Sequence, residues 1–223
     1  MNGRTKPTPR SDLNTNPAML HSGHAPYATF SRRGFWRGAI AMAWVAGAAR
    51  GLAHAAAEVG APPGFLARTI AHVRLAGSGV FRWWGFTVYT AALWVGPQGL
   101  DTARLTAAPF ALELRYAREL KGAAIADKSI EEIRRLGVGS AAQQESWLAQ
   151  LRTIFPNVSD GDVLCGLFEP KAAGGARTVF LFNGKTVGTV PGDRFALGFF
   201  SIWLSAKTFA PDLRTALLAQ AAP

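Results

Sequence analysis

The sequence has little of the chemistry that metal, redox and nucleophilic enzymes use. Its 223 residues include one Cys and four His, and three of the His lie in the first 55 residues. Cys165 and His72 are the thiol and the imidazole left for the rest of the chain. A disulfide framework is therefore excluded, and a His/Cys metal site or a His-based triad is hard to assemble.

Cofactor-binding motifs are also missing from the sequence. It contains no Gly-x-Gly-x-x-Gly that opens a helix, no Gly-Lys-Ser/Thr phosphate loop, no Cys-x-x-Cys and no His-Glu-x-x-His. We therefore expect neither a cofactor nor a bound metal.

Acidic residues are scarce, with 14 Asp and Glu against 24 Lys and Arg, for a net charge of +10. This balance resembles that of a nucleic-acid-binding protein, but it is unevenly placed. The first 55 residues hold seven basic residues and one acidic residue, and the remainder has a net charge of only +4. We therefore expect no nucleic-acid partner.

The basic leader has the order of an export signal. Arg32 and Arg33 precede twelve uncharged, mostly apolar residues, 38–49. Ala53 and Ala55 then supply the small side chains that a signal peptidase needs. We interpret 31–55 as a twin-arginine signal peptide cleaved after Ala55, which predicts the twin-arginine translocase as a partner and a periplasmic or otherwise exported protein.

A membrane anchor is the alternative interpretation of the leader. Twelve apolar residues fall well short of the roughly 20 that a bilayer crossing requires, so no stable membrane span is expected. Residues 1–30, rich in Pro, Thr, Ser and Asn, are predicted to be a disordered extension, unless translation starts at Met19. Residues 56–223 are left as one folded domain.

The remaining chain begins with strands. The pattern predicts strands over 69–76, 79–84 and 86–95, separated by single glycines. In the third, alternation places Thr87 and Tyr89 on one face. The clearest alternation is in 110–116, where Phe110 and Tyr116 share an apolar face.

Helices come next, and then a hairpin. Ser129 and Glu132 form a capping-box pattern for a short helix that ends at Gly137, and Ser140 caps a second helix that stops before Pro156. Asn-Gly between two extended runs predicts a hairpin with a type I′ turn. The last third is predicted as strands 162–168, 177–182 and 185–190, then helices 195–204 and 211–219.

Strands, helices, a hairpin and again helices, without regular βαβ alternation, predict an α+β fold. An antiparallel sheet would be covered on one side by helices, and strong curvature of the sheet would leave a cleft between the two layers.

Four short motifs follow one another along the chain: Gly77-Ser-Gly79-Val-Phe-Arg82, Val88-Tyr89-Thr-Ala-Ala-Leu93-Trp94, Asn183-Gly184-Lys185 with Gly188, and Phe199-Phe200-Ser-Ile202-Trp203-Leu204. In this order and spacing they resemble the bacterial chalcone isomerase-like family. The similarity runs from about residue 75 to residue 218. It implies an open-faced β-sandwich, a curved antiparallel sheet backed by a layer of helices.

The resemblance also implies two kinds of function. The plant enzymes of this family close a flavanone ring without a cofactor, by attack of a phenolate on an enone, using an arginine and hydroxyl donors. Relatives with the same fold bind fatty acids, and their arginine holds the carboxylate. The motif places this arginine at Arg82, as an anion clamp at the mouth of a cleft formed by Trp83, Trp84, Phe86 and Tyr89.

The candidate ligand-binding residues are thus Arg82, Thr87, Tyr89 and Tyr116, with Arg82 as the candidate catalytic residue. Three of them have a simpler interpretation. Arg82 could lie over a neighbouring Trp face, Tyr89 could serve packing alone, and Tyr116 could be a tyrosine at the rim of the core.

Three functions remain open. The leading hypothesis is an exported protein that binds a small amphipathic anion, a fatty acid or an aromatic acid, in the cleft. The first alternative is a cofactor-independent intramolecular lyase or isomerase of the chalcone isomerase type. The second is an envelope scaffold without a ligand. Whether the protein is an enzyme is left open.

Overall fold

The structure is a computed structural model that describes residues 61–170 and 172–223. The predicted extension, 1–30, and the predicted signal peptide, 31–55, lie outside the described residues. One antiparallel sheet of six strands, in sequence order, forms the centre of the described part. Its strands are β1 (Arg74–Trp83), β2 (Phe86–Val95), β3 (Phe110–Tyr116), β4 (Val163–Glu169), β5 (Arg177–Phe182) and β6 (Lys185–Pro191).

Helices cover the two faces of this sheet unequally. The helices are α1 (Gly64–Thr69), α2 (Gly122–Arg135), α3 (Ala141–Ile154), α4 (Asp193–Leu204) and α5 (Pro211–Leu217), and Thr102–Arg104 forms a single 3₁₀ turn. Buried side chains of α2 to α5 form one apolar cluster with the inner face of the sheet. The short α1 covers a smaller cluster on the outer face through Leu66 and Ile70. The predicted α+β class, an antiparallel sheet backed by a layer of helices, is confirmed, and α1 on the outer face is an addition to it.

The structure confirms several elements that were predicted from local sequence patterns. β3 covers the predicted 110–116, and Phe110, Leu112, Leu114 and Tyr116 all join the inner cluster. The Asn183-Gly184 turn has positive φ at both residues, 48° and 79°, and joins Phe182 to Lys185. Ser140 and Gln143 form a complete capping box at the start of α3.

The division of the first strands is corrected. The predicted strand 69–76 overlaps α1, and Gly77 lies inside the continuous β1 instead of in a turn. A Cβ on Gly77 would lie 2.1 Å from the Ala216 carbonyl oxygen. The glycine therefore allows the last turn of α5 to approach the sheet, a close contact that the sequence analysis mistook for a chain reversal.

The start of α2 is also corrected. The helix begins at Gly122, seven residues before the predicted cap, and Ser129 lies in its interior. The Ser129 hydroxyl donates to the Ile125 carbonyl within the helix, and Glu132 pairs with Lys128 and Arg135. The residues that match the capping-box pattern therefore form a charged and buried stretch inside a longer helix. Its predicted end is confirmed, since Gly137 follows the helix with a φ of +73°.

Candidate functional site

A β-bulge at the start of β2 decides which candidate side chains share a face. Phe81 pairs with Tyr89, but Arg82 pairs with Thr87, so Val88 is the extra residue. Phe81 and Val88 both contact the inner cluster that contains Tyr89. Arg82 and Thr87 therefore point to the opposite, outer face. The prediction that Thr87 and Tyr89 share one face was wrong, because strict alternation does not hold across a bulge.

Tyr89 and Tyr116 are brought together on the inner face. They are direct partners in the β2–β3 register, and their ring centroids lie 5.9 Å apart in an edge-to-face arrangement. Both are buried, with 7% and 3% of their surface exposed. Two of the predicted candidates thus form one pair of phenols between the sheet and the helices.

Trp203 of α4 orients one of these hydroxyls. Its indole Nε1–H donates to the Tyr89 hydroxyl oxygen at 2.9 Å. Because the oxygen accepts this bond, the hydroxyl keeps its own proton for another acceptor. From the sequence, Trp203 was placed only within the predicted helix 195–204. The Phe199–Leu204 motif could have drawn attention to it, but no local pattern identifies a partner 114 residues away.

Burial keeps both phenols neutral. It raises the pKa of Tyr89, against the lowering effect of the Trp203 hydrogen bond, and the Glu132 carboxylate raises it further. Burial also raises the pKa of Tyr116, and Tyr89 adds to that shift. Among the described residues, neither hydroxyl has an acceptor for its proton. The site therefore offers two neutral O–H donors.

Aromatic rings connect this pair to the end of the β1–β2 hairpin. Phe81 stacks on Tyr89 with ring centroids 5.1 Å apart, and the ring of Phe209 meets Phe81 edge-on at 5.2 Å. Trp83 continues the row, 6.5 Å from Phe81. The tyrosine pair is therefore the inner end of an aromatic row that reaches the surface at Trp83.

The residues predicted to form the mouth of a cleft lie at the exposed end of the hairpin. The exposed fractions of Trp83, Trp84 and Phe86 are 56%, 84% and 68%, and Arg82 is exposed as well. The pairing across the bulge places Arg82 on the opposite face of the sheet from the tyrosine pair. The four predicted residues form two pairs, Tyr89 with Tyr116 inside and Arg82 with Thr87 outside.

The other predicted chemistry-bearing groups are dispersed. Cys165 is buried on the outer face of β4, where desolvation raises the pKa of its thiol, and His72 is exposed. Within 61–170 and 172–223, no three His, Cys, Asp or Glu side chains come together as metal ligands. Over the same residues, no helix has both the length and the apolar character that a membrane crossing needs.

Comparison with known proteins agrees with this architecture. The sequence profile described as chalcone isomerase-like matches residues 66–219. An uncharacterised protein of Haemophilus influenzae is 27% identical over 154 residues, which cover 69% of this chain and 72% of that protein. Among solved structures, the Arabidopsis thaliana fatty-acid binding protein AtFAP1 superposes with a TM-score of 0.51 at 14% identity, covering 68% of this chain and 89% of that one.

Proposed function

The chain belongs to the chalcone isomerase-like family, and on this basis we propose that it is an exported protein that binds a small amphipathic anion between its sheet and its helices. A fatty acid or an aromatic acid is the ligand class. Its carboxylate lies at the Tyr89–Tyr116 pair, and its apolar part lies along the neighbouring aromatic side chains.

The observation that carries this proposal is the pair of neighbouring tyrosine hydroxyls, one of which Trp203 orients. Each hydroxyl can donate its proton to a ligand without giving up a bond to another described residue. An ionised carboxylate accepts at both oxygens and donates at neither, and its hydrogen bonds are stronger than those of neutral acceptors. The rings of Phe81 and Phe209 add an apolar wall beside the donors.

A related fold with a described ligand supports the same class. AtFAP1 is described as a fatty-acid binding protein. At 14% identity the likeness concerns the fold alone. It supports the proposal that a sheet and a helical layer of this arrangement hold an amphipathic acid.

Arg82 remains a predicted partner of the ligand's anion, now with a different expected role. The tyrosine pair is proposed to contact the head group, because Arg82 points to the other face of the sheet. We therefore expect Arg82→Ala to weaken the attraction of anionic ligands while ligand stays bound. Complete loss of ligand in Arg82→Ala would instead show that Arg82 binds the ligand's carboxylate.

Native mass spectrometry of the protein purified from its own host's periplasm tests the proposal. The intact mass reports whether the chain is cut after Ala55, and extraction identifies any released acid. We expect a co-purifying fatty or aromatic acid that is lost in the Tyr89→Phe/Tyr116→Phe variant. Trp94→Phe, a buried aromatic change on the outer face, is the matched control and should keep the ligand.

An intramolecular lyase or isomerase is the second candidate. It is favoured by the Tyr89 hydroxyl, a neutral donor oriented by Trp203 that could polarise an enone carbonyl as negative charge develops on its oxygen. Loss of chalcone absorbance on addition of the protein, abolished by Tyr89→Phe, would establish this activity. A protein that carries no acid and leaves chalcone unchanged would favour the scaffold hypothesis, in which the aromatic side chains only fill the interior.

A further inference from the structure

The end of the β1–β2 hairpin exposes large aromatic side chains that the fold does not use. Trp83, Trp84, Gly85 and Phe86, here called the aromatic tip, form the turn and the pair of residues that flank it. The side chains of Trp83, Trp84 and Phe86 are the most exposed of the large hydrophobic residues in the described part of the chain. Exposed aromatic clusters of this kind mark surfaces for interaction.

Trp84 adopts a backbone conformation that bulky residues disfavour. Its φ is +51°, in the left-handed region that glycine and asparagine tolerate and bulky residues avoid. Gly85 follows with a φ of +81°, so the turn has the geometry that Asn-Gly adopts at residues 183–184. A tryptophan in place of asparagine strains the turn and contributes little packing, which indicates that the indole serves an external contact.

The shape of the tip suits a lipid interface better than a protein partner. It is a single projecting turn, and apart from Gly85 itself and its two chain neighbours no atom lies within 4 Å of where a Gly85 Cβ would be. A stable protein interface draws on roughly 20 to 30 residues from each side. Trp and Phe on a projecting turn can instead enter the boundary between lipid head groups and acyl chains, where amphipathic indole rings are favoured.

Charge favours an anionic surface. Between residues 75 and 100 the sequence contains a single charged residue, the exposed Arg82, which lies next to the tip. On the inner side, the ring of Phe209 contacts Phe81, and the exposed Lys207 lies two residues before it. Basic side chains beside inserted aromatic rings pair with lipid phosphates.

We propose that the aromatic tip docks the protein on an anionic lipid bilayer, with Trp83, Trp84 and Phe86 in the interfacial layer and Arg82 at the lipid phosphates. The row from Trp83 through Phe81 to Tyr89 then joins the docked surface to the inner tyrosine pair. Docking goes beyond the proposed ligand binding and does not depend on it, since the tip and the charges around it need no occupied interior.

Vesicle co-sedimentation of the delipidated full chain tests the docking. The parent is expected to bind vesicles of phosphatidylethanolamine and phosphatidylglycerol, and Trp83→Ser/Trp84→Ser to lower the partition coefficient about tenfold or more. The matched control is Val187→Ser/Leu197→Ser, which removes exposed apolar side chains from β6 and α4 and should bind like the parent. All variants share the same leader, so a difference between them belongs to the tip.

Two further measurements identify the mode of binding. Arg82→Ala should weaken binding to vesicles that contain phosphatidylglycerol but not to vesicles of phosphatidylcholine alone. Lipids brominated near the head of the acyl chain should quench part of the tryptophan fluorescence of the parent, and this part should be absent in the double Trp variant.

Several results would overturn the docking proposal. They are a parent that does not sediment with vesicles, a double Trp variant that binds as well as the parent, and fluorescence insensitive to brominated lipid. Self-association that is abolished by the double variant, without vesicle binding, would instead assign the tip to a second copy of the chain. A parent protein that binds vesicles but carries no co-purifying acid would count against the ligand proposal alone.

Discussion

Tyr89 and Tyr116 lie side by side, but their hydroxyls contribute differently to stability. Tyr89 accepts the indole N–H of Trp203, and without it that buried donor would have no partner. We expect Tyr89→Phe to lower the free energy of unfolding by about 1–3 kcal/mol. Tyr116→Phe removes a hydroxyl that makes no hydrogen bond with a described residue, so it should change the free energy of unfolding much less. Urea denaturation of both variants measures the difference.

A double-mutant cycle isolates the bond. In the Tyr89→Phe/Trp203→Phe protein both polar partners are gone, so the second change should cost less than it does in the parent. Equal losses for Tyr89→Phe and Tyr116→Phe, or strict additivity in the cycle, would contradict a specific Trp203–Tyr89 hydrogen bond.

Trp84 is predicted to be a residue at which function opposes stability. Its positive φ costs roughly 1–2 kcal/mol for an L-residue with a side chain. Trp84→Asn should therefore raise the free energy of unfolding by about 1 kcal/mol, since Asn-Gly is the preferred pair for this turn. Trp83→Asn, at a strand position outside the positive-φ residues, is the control and should bring no gain. A destabilised Trp84→Asn would mean that the exposed indole packs in the native state.

At the scale of elements, the close packing of the last turn of α5 against β1 depends on Gly77. Cβ atoms on Gly77 would meet the carbonyl oxygens of Ala216 and Leu217 at 2.1 Å and 2.6 Å, and backbone atoms cannot move aside as a side chain can. We expect Gly77→Ala to destabilise the protein by about 3 kcal/mol or more, by forcing α5 off the sheet. Gly64→Ala in α1, where a Cβ would meet only the flexible Arg68 side chain at 3.9 Å, should be neutral or slightly stabilising. A thermal melt that leaves Gly77→Ala unchanged would contradict this contact.

The buried Glu132 makes the stability of α2 sensitive to acid. Burial alone would raise the pKa of its carboxyl, but hydrogen bonds from Lys128 and Arg135 outweigh that effect and hold the pKa below its ordinary value. A carboxyl with a lowered folded-state pKa contributes stability that is fully present above its unfolded pKa, about 4.3. This contribution is lost as the pH falls through the folded-state pKa.

Glu132→Gln should therefore reduce stability at neutral pH and flatten the loss of stability on acidification. Urea midpoints measured between about pH 7 and about pH 3 report both effects. Glu131→Gln removes an exposed partner of the same lysine and should keep the slope of the parent. An unchanged slope in Glu132→Gln would show that other carboxyls dominate acid unfolding.

At the scale of the whole molecule, the end of the chain ties the first strand to the loop after the second. The carbonyls of Gln220 and Ala222 accept from Arg74 at 2.6 Å and 2.5 Å, and the Ala221 carbonyl accepts from the Leu100 N–H at 2.7 Å. The Gln220 N–H donates to Ala76 at 2.7 Å. These bonds join segments more than 100 residues apart in sequence, and so connect local structure into one unit.

Removal of residues 220–223 is expected to lower the free energy of unfolding by roughly 2–4 kcal/mol, from the loss of several hydrogen bonds at about 1 kcal/mol each. Unfolding should stay a single transition at a lower midpoint, measured by circular dichroism during heating. Removal of Pro223 alone is the control and should change little. A midpoint equal to that of the parent would show that the sheet edge holds without this tail.

Some elements could be predicted from the sequence because their signals are local. Alternation over Phe110–Tyr116, Asn-Gly at 183–184 and the Ser140 cap each depend on residues within a few positions. The start of α2 was missed because Ser129 and Glu132 have the same spacing in a cap as on one face of a longer helix. Gly77 was misread because its constraint comes from a carbonyl more than 130 residues away.

For the candidate site, the sequence by itself determined the residue types: phenols and aromatic rings without metal ligands, and an arginine at the first hairpin. It also determined the order of elements, because periodicity and turn chemistry act over short distances. Only the tertiary structure decided which of these residues meet. A single bulge at Val88 sends Tyr89 inward and Thr87 outward, and the packing of α4 brings Trp203 to the Tyr89 hydroxyl, since such pairings depend on the three-dimensional arrangement of distant segments.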